Sequence, residues 1–494
     1  MPDTAPPTSL GREPVDAESV ALDARNKLVI SLLLVSAFVV ILNETLMAVA
    51  LPHLMRDLSI TASAAQWLTT AFMLTMAVVI PITGYLLQRF NTRPVFLAAM
   101  TLFSTGTLIA ALAPGFEVLV FARVVQATGT AIMMPLLMTT VMTLVPPASR
   151  GRTMGNISIV ISVAPAIGPT ISGLILSVLD WRWMFLLILP IALGALALGA
   201  ARITNVTTPR RNHFDVPSVI VSAFAFGGIV YGLSNLGAGT SGGNPLSGWI
   251  PLGVGAVALT VFVLRQVRLQ RRGDALLDLR TFTSRTFTFS ILMLAVSMVV
   301  LFGVIILLPI YMQNVLGLDV LTTGMMLLPG GLTMGLLAPT VGRIYDRIGP
   351  TALLTTGSVI VSIVLWFMTV FTQTTPVWWV LAAHITLSLG LALLFTPLFS
   401  AGLGSLKPEL YSHGSAIVGT VQQLAGAAGA TLFVTVMSAQ AATLAIGGTS
   451  EVSSLASGIR LAFLVGAIIS LLAIPAAFLV RTPKAALAPA MNPA

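Results

Sequence analysis

Cysteine is absent from the 494 residues, and histidine occurs four times. The first absence excludes disulfides and thiolate metal sites. The histidines (His53, His213, His384 and His413) are scattered, and no acidic pair lies within an apolar run. No metal-ligand cluster follows from such spacing. Charge is scarce too: 8% of residues, against about 25% in soluble globular chains. There is no Gly-x-x-x-x-Gly-Lys phosphate loop. Nor is any polar stretch long enough for a nucleotide-binding or catalytic module, so energy from ATP would have to come from another chain. No catalytic constellation points to an enzyme. A net charge of +9 would suggest a nucleic-acid partner in a soluble chain. Here it reflects topology, and no nucleic acid is expected.

What is present is apolar. Hydrophobic residues make up 56% of the chain, with mean hydropathy +0.98. A helical span needs about 20 mostly apolar residues. Fourteen runs qualify: 28–52, 65–87, 94–113, 117–144, 154–178, 183–201, 216–236, 249–267, 286–312, 321–343, 351–372, 377–399, 413–440 and 459–480. The spacing predicts an all-α polytopic membrane protein whose main partner is the lipid bilayer. Residues 1–27 and 482–494 read as polar tails, the first disordered. With the N-terminus inside, 21 Lys and Arg fall in inner loops and tails and 3 outside (Arg56, Arg182, Arg460); Arg123 lies within a span. Cytoplasmic loops carry such an excess, so both termini are expected in the cytoplasm. The outer loop 237–248 is uncharged and glycine-rich.

Of 16 acidic residues, only Glu44 lies deep in a run; the others fall in tails, loops or span ends. A carboxylate at that depth costs roughly 2.5–3.5 kcal/mol on insertion scales, so it is usually retained for a task. At 1.5 Å per residue, Glu44 on an outward-running helix and Arg123 on an inward-running one both sit roughly 10 Å below the outer face. Burial favours a neutral carboxyl and a nearby cation an ionised one. A movement of Arg123 would therefore switch a proton on Glu44. The plainer alternative is a fixed structural ion pair.

Two stretches repeat at an offset of 258 residues. Pro81-Ile-Thr-Gly84-Tyr-Leu-Leu-Gln88-Arg89-Phe-Asn91 matches Pro339-Thr-Val-Gly342-Arg-Ile-Tyr-Asp346-Arg347-Ile-Gly349. Each closes the second span of its half and leads into a basic inner loop, which also holds Arg93 in the first copy. Repeats of this kind mark transporters whose halves rock about a midplane site. They divide the chain into a six-helix bundle (28–202), a linker with two inserted spans (203–285) and a second six-helix bundle (286–481).

These features resemble the major facilitator superfamily, and within it the fourteen-span drug:proton antiporter branch with its lincomycin-exporter-like group. The resemblance covers nearly all of 28–481. It rests on Leu42-Asn43-Glu44-Thr45 through Pro52 in the first span and Arg123-Val-Val-Gln126-Ala-Thr-Gly129 in the fourth. It rests also on Ala164-Pro165-Ala166-Ile167-Gly168-Pro169-Thr170-Ile171-Ser172-Gly173 in the fifth, with Asp180-Trp181-Arg182-Trp183 following. It implies a major facilitator fold: two six-helix bundles plus two inserted helices. The implied activity is proton-coupled export of amphiphilic drugs or antibiotics across a bacterial cytoplasmic membrane. The proton gradient takes the place of a cofactor, and a monomer would suffice. A dedicated exporter of an endogenous metabolite or lipid is the alternative, with a non-transporting receptor or channel on the same scaffold behind it. There are departures: Gln88 and Asn91 stand where the family has Asp and Gly, and the first-span acid is Glu44 where many relatives place it at the position of Asn43.

The resemblance assigns proton coupling to Glu44 and Arg123, a hinge to Pro165, Gly168, Pro169 and Gly173, and an inner-loop lock to Gly84, Arg89, Arg93, Gly342, Asp346 and Arg347. Small residues such as Gly168 and Gly173 also serve ordinary helix packing. Asn43, Gln126, His384, Gln422 and Gln423 are the candidates to line a substrate cavity; the plainer role is an interhelical hydrogen bond for Gln422 and Gln423, and hydrogen-bonded structure for His384. His384 is also a candidate relay. His53 and His413, at span ends, are expected to be solvated, and Asp215 to cap the first inserted helix. Met133, Met134, Met325, Met326 and Trp67 would suit an adaptable apolar cavity, or serve as packing filler.

Overall fold

A computed structural model describes residues 24–206, 209, 214–238 and 246–481. The tail through residue 23, the basic pair Arg210 and Arg211, loop residues 239–245 and the tail 482–494 lie outside the described residues. Among the described residues there is no strand, and fourteen helices are long and apolar enough to cross a membrane. They coincide with the fourteen apolar runs of the sequence.

The first six spans are α1 (Ala24–Asp57), α2 (Ala62–Arg89), α3 (Thr92–Ala111), α4 (Phe116–Leu144), α5 (Arg150–Val178) and α6 (Arg182–Arg202). The seventh combines α7 (Val216–Ser222), a π-helical turn (Ala223–Gly227) and α8 (Gly228–Ala238); the eighth is α9 (Leu246–Leu269). The last six are α10 (Arg285–Ile310, continued by a π-turn to Val315), α11 (Val320–Ile348), α12 (Pro350–Met368), α13 (Val377–Gly404), α14 (Tyr411–Ile446) and α15 (Glu451–Ser470) with the short α16 (Ala473–Ala477).

In lipid each backbone polar group must be satisfied within the segment, which enforces helix wherever the chain is apolar. Polar side chains mark where several helices begin. Asp319 accepts from the Thr322 N–H at 2.9 Å and Ser284 from the Phe287 N–H at 3.2 Å. Asp319 is held below the usual carboxylate range by those Thr322 hydrogen bonds. Pro165 and Pro169 leave α5 continuous from Arg150 to Val178, so they do not break it. Side chains and neighbouring helices re-satisfy groups that prolines free in membrane helices.

Two seams join early helices to late ones: α5 packs along α11, and α2 along α14. A Cβ on Gly342 would stand 2.1 Å from the Gly151 carbonyl, one on Gly335 2.2 Å from Val163, and one on Gly331 2.1 Å from Ala166. Beyond mid-height the helices part. Gly173 and Gly324 meet nothing within 4 Å, and Leu174 and Leu321 are 70% and 71% exposed. The α2–α14 seam is closed in the same sense, with Gly84 against His413 and Gly419 against Ile80. Both seams are therefore shut at the end that carries the basic loops.

The inserted helices flank the α2–α14 seam. Tyr231 of α8 lies 5.9 Å from the Trp67 ring of α2, and Thr431 of α14 donates to the Leu233 carbonyl at 2.9 Å. Trp67 thus packs on an inserted helix rather than standing alone on a cavity wall. Asp215 does begin α7, but its carboxylate forms no side-chain cap; both oxygens accept from Arg265, at 2.7 and 2.8 Å. These bonds staple α7 to α9 and hold Asp215 below the ordinary carboxylate range.

Candidate functional site

The site is built from α1, α2, α3 and α4. Gly129 lets α4 approach α3 so closely that a Cβ there would meet the Ala99 carbonyl at 2.4 Å. Gly106 does the same against the Gln126 backbone. This tight crossing places Arg123 at 1% exposure, among the largest fully buried side chains. Its guanidinium donates to Gln126 Oε1 at 2.7 Å, to Asn43 Oδ1 at 3.4 Å and to the Leu68 carbonyl at 3.5 Å. It also lies 4.0 Å from the Phe72 ring. Gln126 passes the network on, donating to Thr107 Oγ1 at 2.8 Å, and Thr107 donates to the Phe103 carbonyl at 2.7 Å.

Glu44 is half-buried on the next residue of α1. Its neighbour Asn43 bonds Arg123, yet among the described residues no ion pair within 4.0 Å involves Glu44. The charges are neighbours without being locked, so the fixed ion pair is not the arrangement here. Neutral amides hold Arg123 while Glu44 remains unclamped. Gln126 and Asn43, candidates for a cavity wall, are 0% and 2% exposed and serve as the cradle of Arg123 instead. Residue Gln126 stands three after Arg123, a spacing that puts both on one helix face; that was the signal for this role.

The fifth-span motif touches the same turn of α1. A Cβ on Gly168 would fall 2.1 Å from Thr45 Oγ1, and Ser172 Oγ donates to the Leu46 carbonyl at 3.0 Å. Gly168 is thus a close-approach position against Thr45, the residue after Glu44. Gly173 faces open space, so close packing is not its role.

The inner-loop copies occupy the two seams. Asp346 accepts the Gly151 N–H at 2.8 Å and the Arg152 N–H at 2.9 Å, capping the start of α5 from α11. Negative charge is favoured at a helix N-terminus. At the matching place Gln88 donates to the Glu409 carbonyl at 2.9 Å. Gly342 and Gly84 sit at the two crossings. Arg93 donates to the Ala200 carbonyl at 2.7 Å, tying α3 to α6. Arg89 and Arg347 lie at the ends of α2 and α11.

The remaining candidates lie elsewhere. His384 is half-buried on α13, with Nε2 3.1 Å from the Leu327 carbonyl and Nδ1 unpartnered. Gln422 and Gln423 are half-buried on α14, and the Gln423 amide nitrogen has no partner. The neighbouring glycines are packing positions, Gly426 against Phe302 and Gly429 against the Val299 backbone. Met133 is core, whereas Met325 is exposed. His413 is not solvated: it is 3% exposed within the α2–α14 seam. Among the described residues no group of three or more His, Asp or Glu is placed to hold a metal.

Comparison with known proteins bears on the family and the fold. The family model described as "Major Facilitator Superfamily" matches residues 33–430. An uncharacterized MFS-type transporter of Bacillus subtilis, YcnB, is 41% identical over 92% of this chain and 95% of its own length. Lincomycin resistance protein LmrB is 38% identical in B. subtilis and in Listeria monocytogenes, over 92% of this chain and 95% and 97% of theirs. Among solved structures, the human organic anion transporter MFSD10 superposes with TM-score 0.65 at 15% identity, covering 92% of this chain and 99% of that one. The proton:xylose symporter XylE superposes with TM-score 0.62 at 14% identity, covering 92% and 97%. At such identities these two bear on the fold alone. With the family model spanning most of the chain and three relatives near 40% identity along almost its whole length, this chain belongs to the major facilitator superfamily and is a membrane transporter, not an enzyme.

Proposed function

We propose that the protein is a proton-coupled antiporter that exports amphiphilic small molecules, antibiotics among them, across a bacterial cytoplasmic membrane. The observation that carries this reading is Glu44. It is a half-buried carboxylate on a membrane helix, next in the chain to Asn43, which bonds Arg123, but not itself paired with that arginine. A carboxylate clamped by an arginine would stay ionised and carry nothing. One left free beside a buried cation changes its proton affinity when that cation or the solvent access shifts. In the conformation described, Gln126 and Asn43, rather than Glu44, hold Arg123. Gly168 packs on Thr45, so α5 is in contact with the turn of α1 that carries Glu44.

The cycle follows from alternating access. The bundles 28–202 and 286–481 rock against each other, with both termini and the basic loops in the cytoplasm, as the excess of Lys and Arg supports. With that orientation, the end at which both seams are shut is the cytoplasmic one. Glu44 takes a proton from outside; the bundles swing; substrate displaces the proton toward the cytoplasm and leaves on the return stroke. A single deep acid suits neutral or singly charged substrates, and the name of the LmrB relatives makes lincomycin the first compound to try. The test is proton movement in oriented proteoliposomes with a panel of lipophilic compounds, the unaltered chain beside Glu44→Gln. Substrate-dependent flux should be lost in the variant. Full proton-coupled export by a folded Glu44→Gln protein would overturn the assignment.

A further inference from the structure

The two seams are related by the 258-residue offset, yet their chemistry differs. Across α5–α11, Asp346 caps a helix start, and Gly155 abuts the Ala338 carbonyl. Across α2–α14 the positions matching Asp346 and Gly155 are Gln88 and His413. The first seam therefore holds a carboxylate on backbone N–H groups. The second holds an imidazole where its counterpart has only a hydrogen atom.

His413 is enclosed on every side. A Cβ on Gly84 of α2 would stand 3.0 Å from its Nδ1, and that nitrogen has no hydrogen-bond partner. The backbone of Leu276, in the connection after the inserted helices, lies beside the ring. The charged groups facing it are few. Asp278 and Arg280 come from the same connection and are paired with each other at 2.5 Å. Arg150 of α5 stacks over Tyr411 at 5.5 Å, and Glu409, one turn earlier, is exposed. Among the described residues no carboxylate lies within 4.0 Å of the ring. A positive charge buried there would be neither solvated nor paired, which is unfavourable. Opening the seam would bring water to the ring and remove that objection.

We propose that His413 is a proton latch of the α2–α14 seam: the seam closes over the neutral ring, and a proton taken up when it opens holds it open. The latch rests on the alternating access proposed above and adds a second proton site, on the cytoplasmic side. It makes reclosure depend on loss of that proton, so cytoplasmic acidification retains the inward-open state.

The cysteine-free chain allows spin labels to be placed without background. One pair, Phe90→Cys with Glu409→Cys, reports the basic end of α2–α14; a second, Arg152→Cys with Ile348→Cys, reports that of α5–α11. Distances by double electron–electron resonance are taken from pH 8 to pH 5.5, in the parent and in His413→Asn and His413→Gln. In the parent the open-to-closed ratio at the first pair should rise on acidification, by up to about tenfold per pH unit for one proton. Both variants should flatten that rise, and the pH dependence that remains belongs to Glu44. An identical pH profile in parent and variants overturns the latch alone. Distances that stay fixed at both seams, at every pH and with every compound that supports proton flux, overturn alternating access instead.

Discussion

Asp346 offers the sharpest perturbation, because its two hydrogen bonds exist only while the basic end of the α5–α11 seam is shut. Replacing it with Asn keeps one acceptor and removes the charge. A hydrogen bond to a charged group contributes about 1.5–3 kcal/mol at full burial. Asp346 is half-buried, so solvent screening reduces this. A net loss of about 1–2 kcal/mol from the shut state follows, and at 1.4 kcal/mol per factor of ten that is a five- to thirtyfold shift toward the open state. A reporter lies about two turns deeper along α5. Ser158 is buried and accepts from Thr396 Oγ1 at 3.0 Å across the α5–α13 contact. Ser158→Cys, as the sole thiol, is shielded when the seam is shut. Its labelling rate by a membrane-impermeant maleimide applied at the basic end should rise by about that same factor in Asp346→Asn, by the same free-energy conversion. An unchanged rate would refute the idea that this cap holds the seam, and a slower one would reverse its sign.

Two further outcomes follow from the geometry. Gly168→Val should abolish exchange or prevent folding because it drives a methyl into Thr45, whereas Gly173→Ala, facing open space, should keep both transport and stability, within about 0.5 kcal/mol; equal damage from the two, by proteoliposome exchange and thermal unfolding, would contradict the packing described. Asp215 is held below the ordinary carboxylate range by Arg265, so its stabilising effect is complete above the unfolded-state value and is lost as pH falls through the folded one; melting temperatures between pH 6 and pH 3 should decline less in Asp215→Asn than in the parent, and parallel declines would count against the staple.

Much of the fold was legible because its rule is one-dimensional. Twenty apolar residues in a row must be helical in lipid, and a lone acid among them stands out however the helices are arranged. The repeat likewise exposed Gly84, Gly342 and Asp346 before any contact was known. What escaped depended on which helices meet. His413 reads as a span-end residue, and only the closure of α2 and the 276–280 connection over it makes it core. Asp215 finds its partner 50 positions later, on a helix whose alignment with α7 no local pattern gives. Gly168 and Gly173 are equal in sequence terms, five residues apart on one helix; one faces Thr45 and the other nothing. Gln126 was misplaced for a subtler reason. A polar residue in a membrane helix suggests a cavity, but here its hydrogen-bonding capacity is taken up by Arg123 and Thr107.

The seventh span leans on α2 through Trp67 and on α14 through Thr431. Those two helices belong to opposite bundles, so no rigid swing between them can preserve both attachments. In the proposed cycle the inserted pair would therefore ride with one side and release the other. Each release bares a strip of helix to the membrane, which acyl chains must wet and later vacate. Turnover by that cycle would draw on the fluidity of the surrounding lipid, making the bilayer a working part of the machine as well as its container.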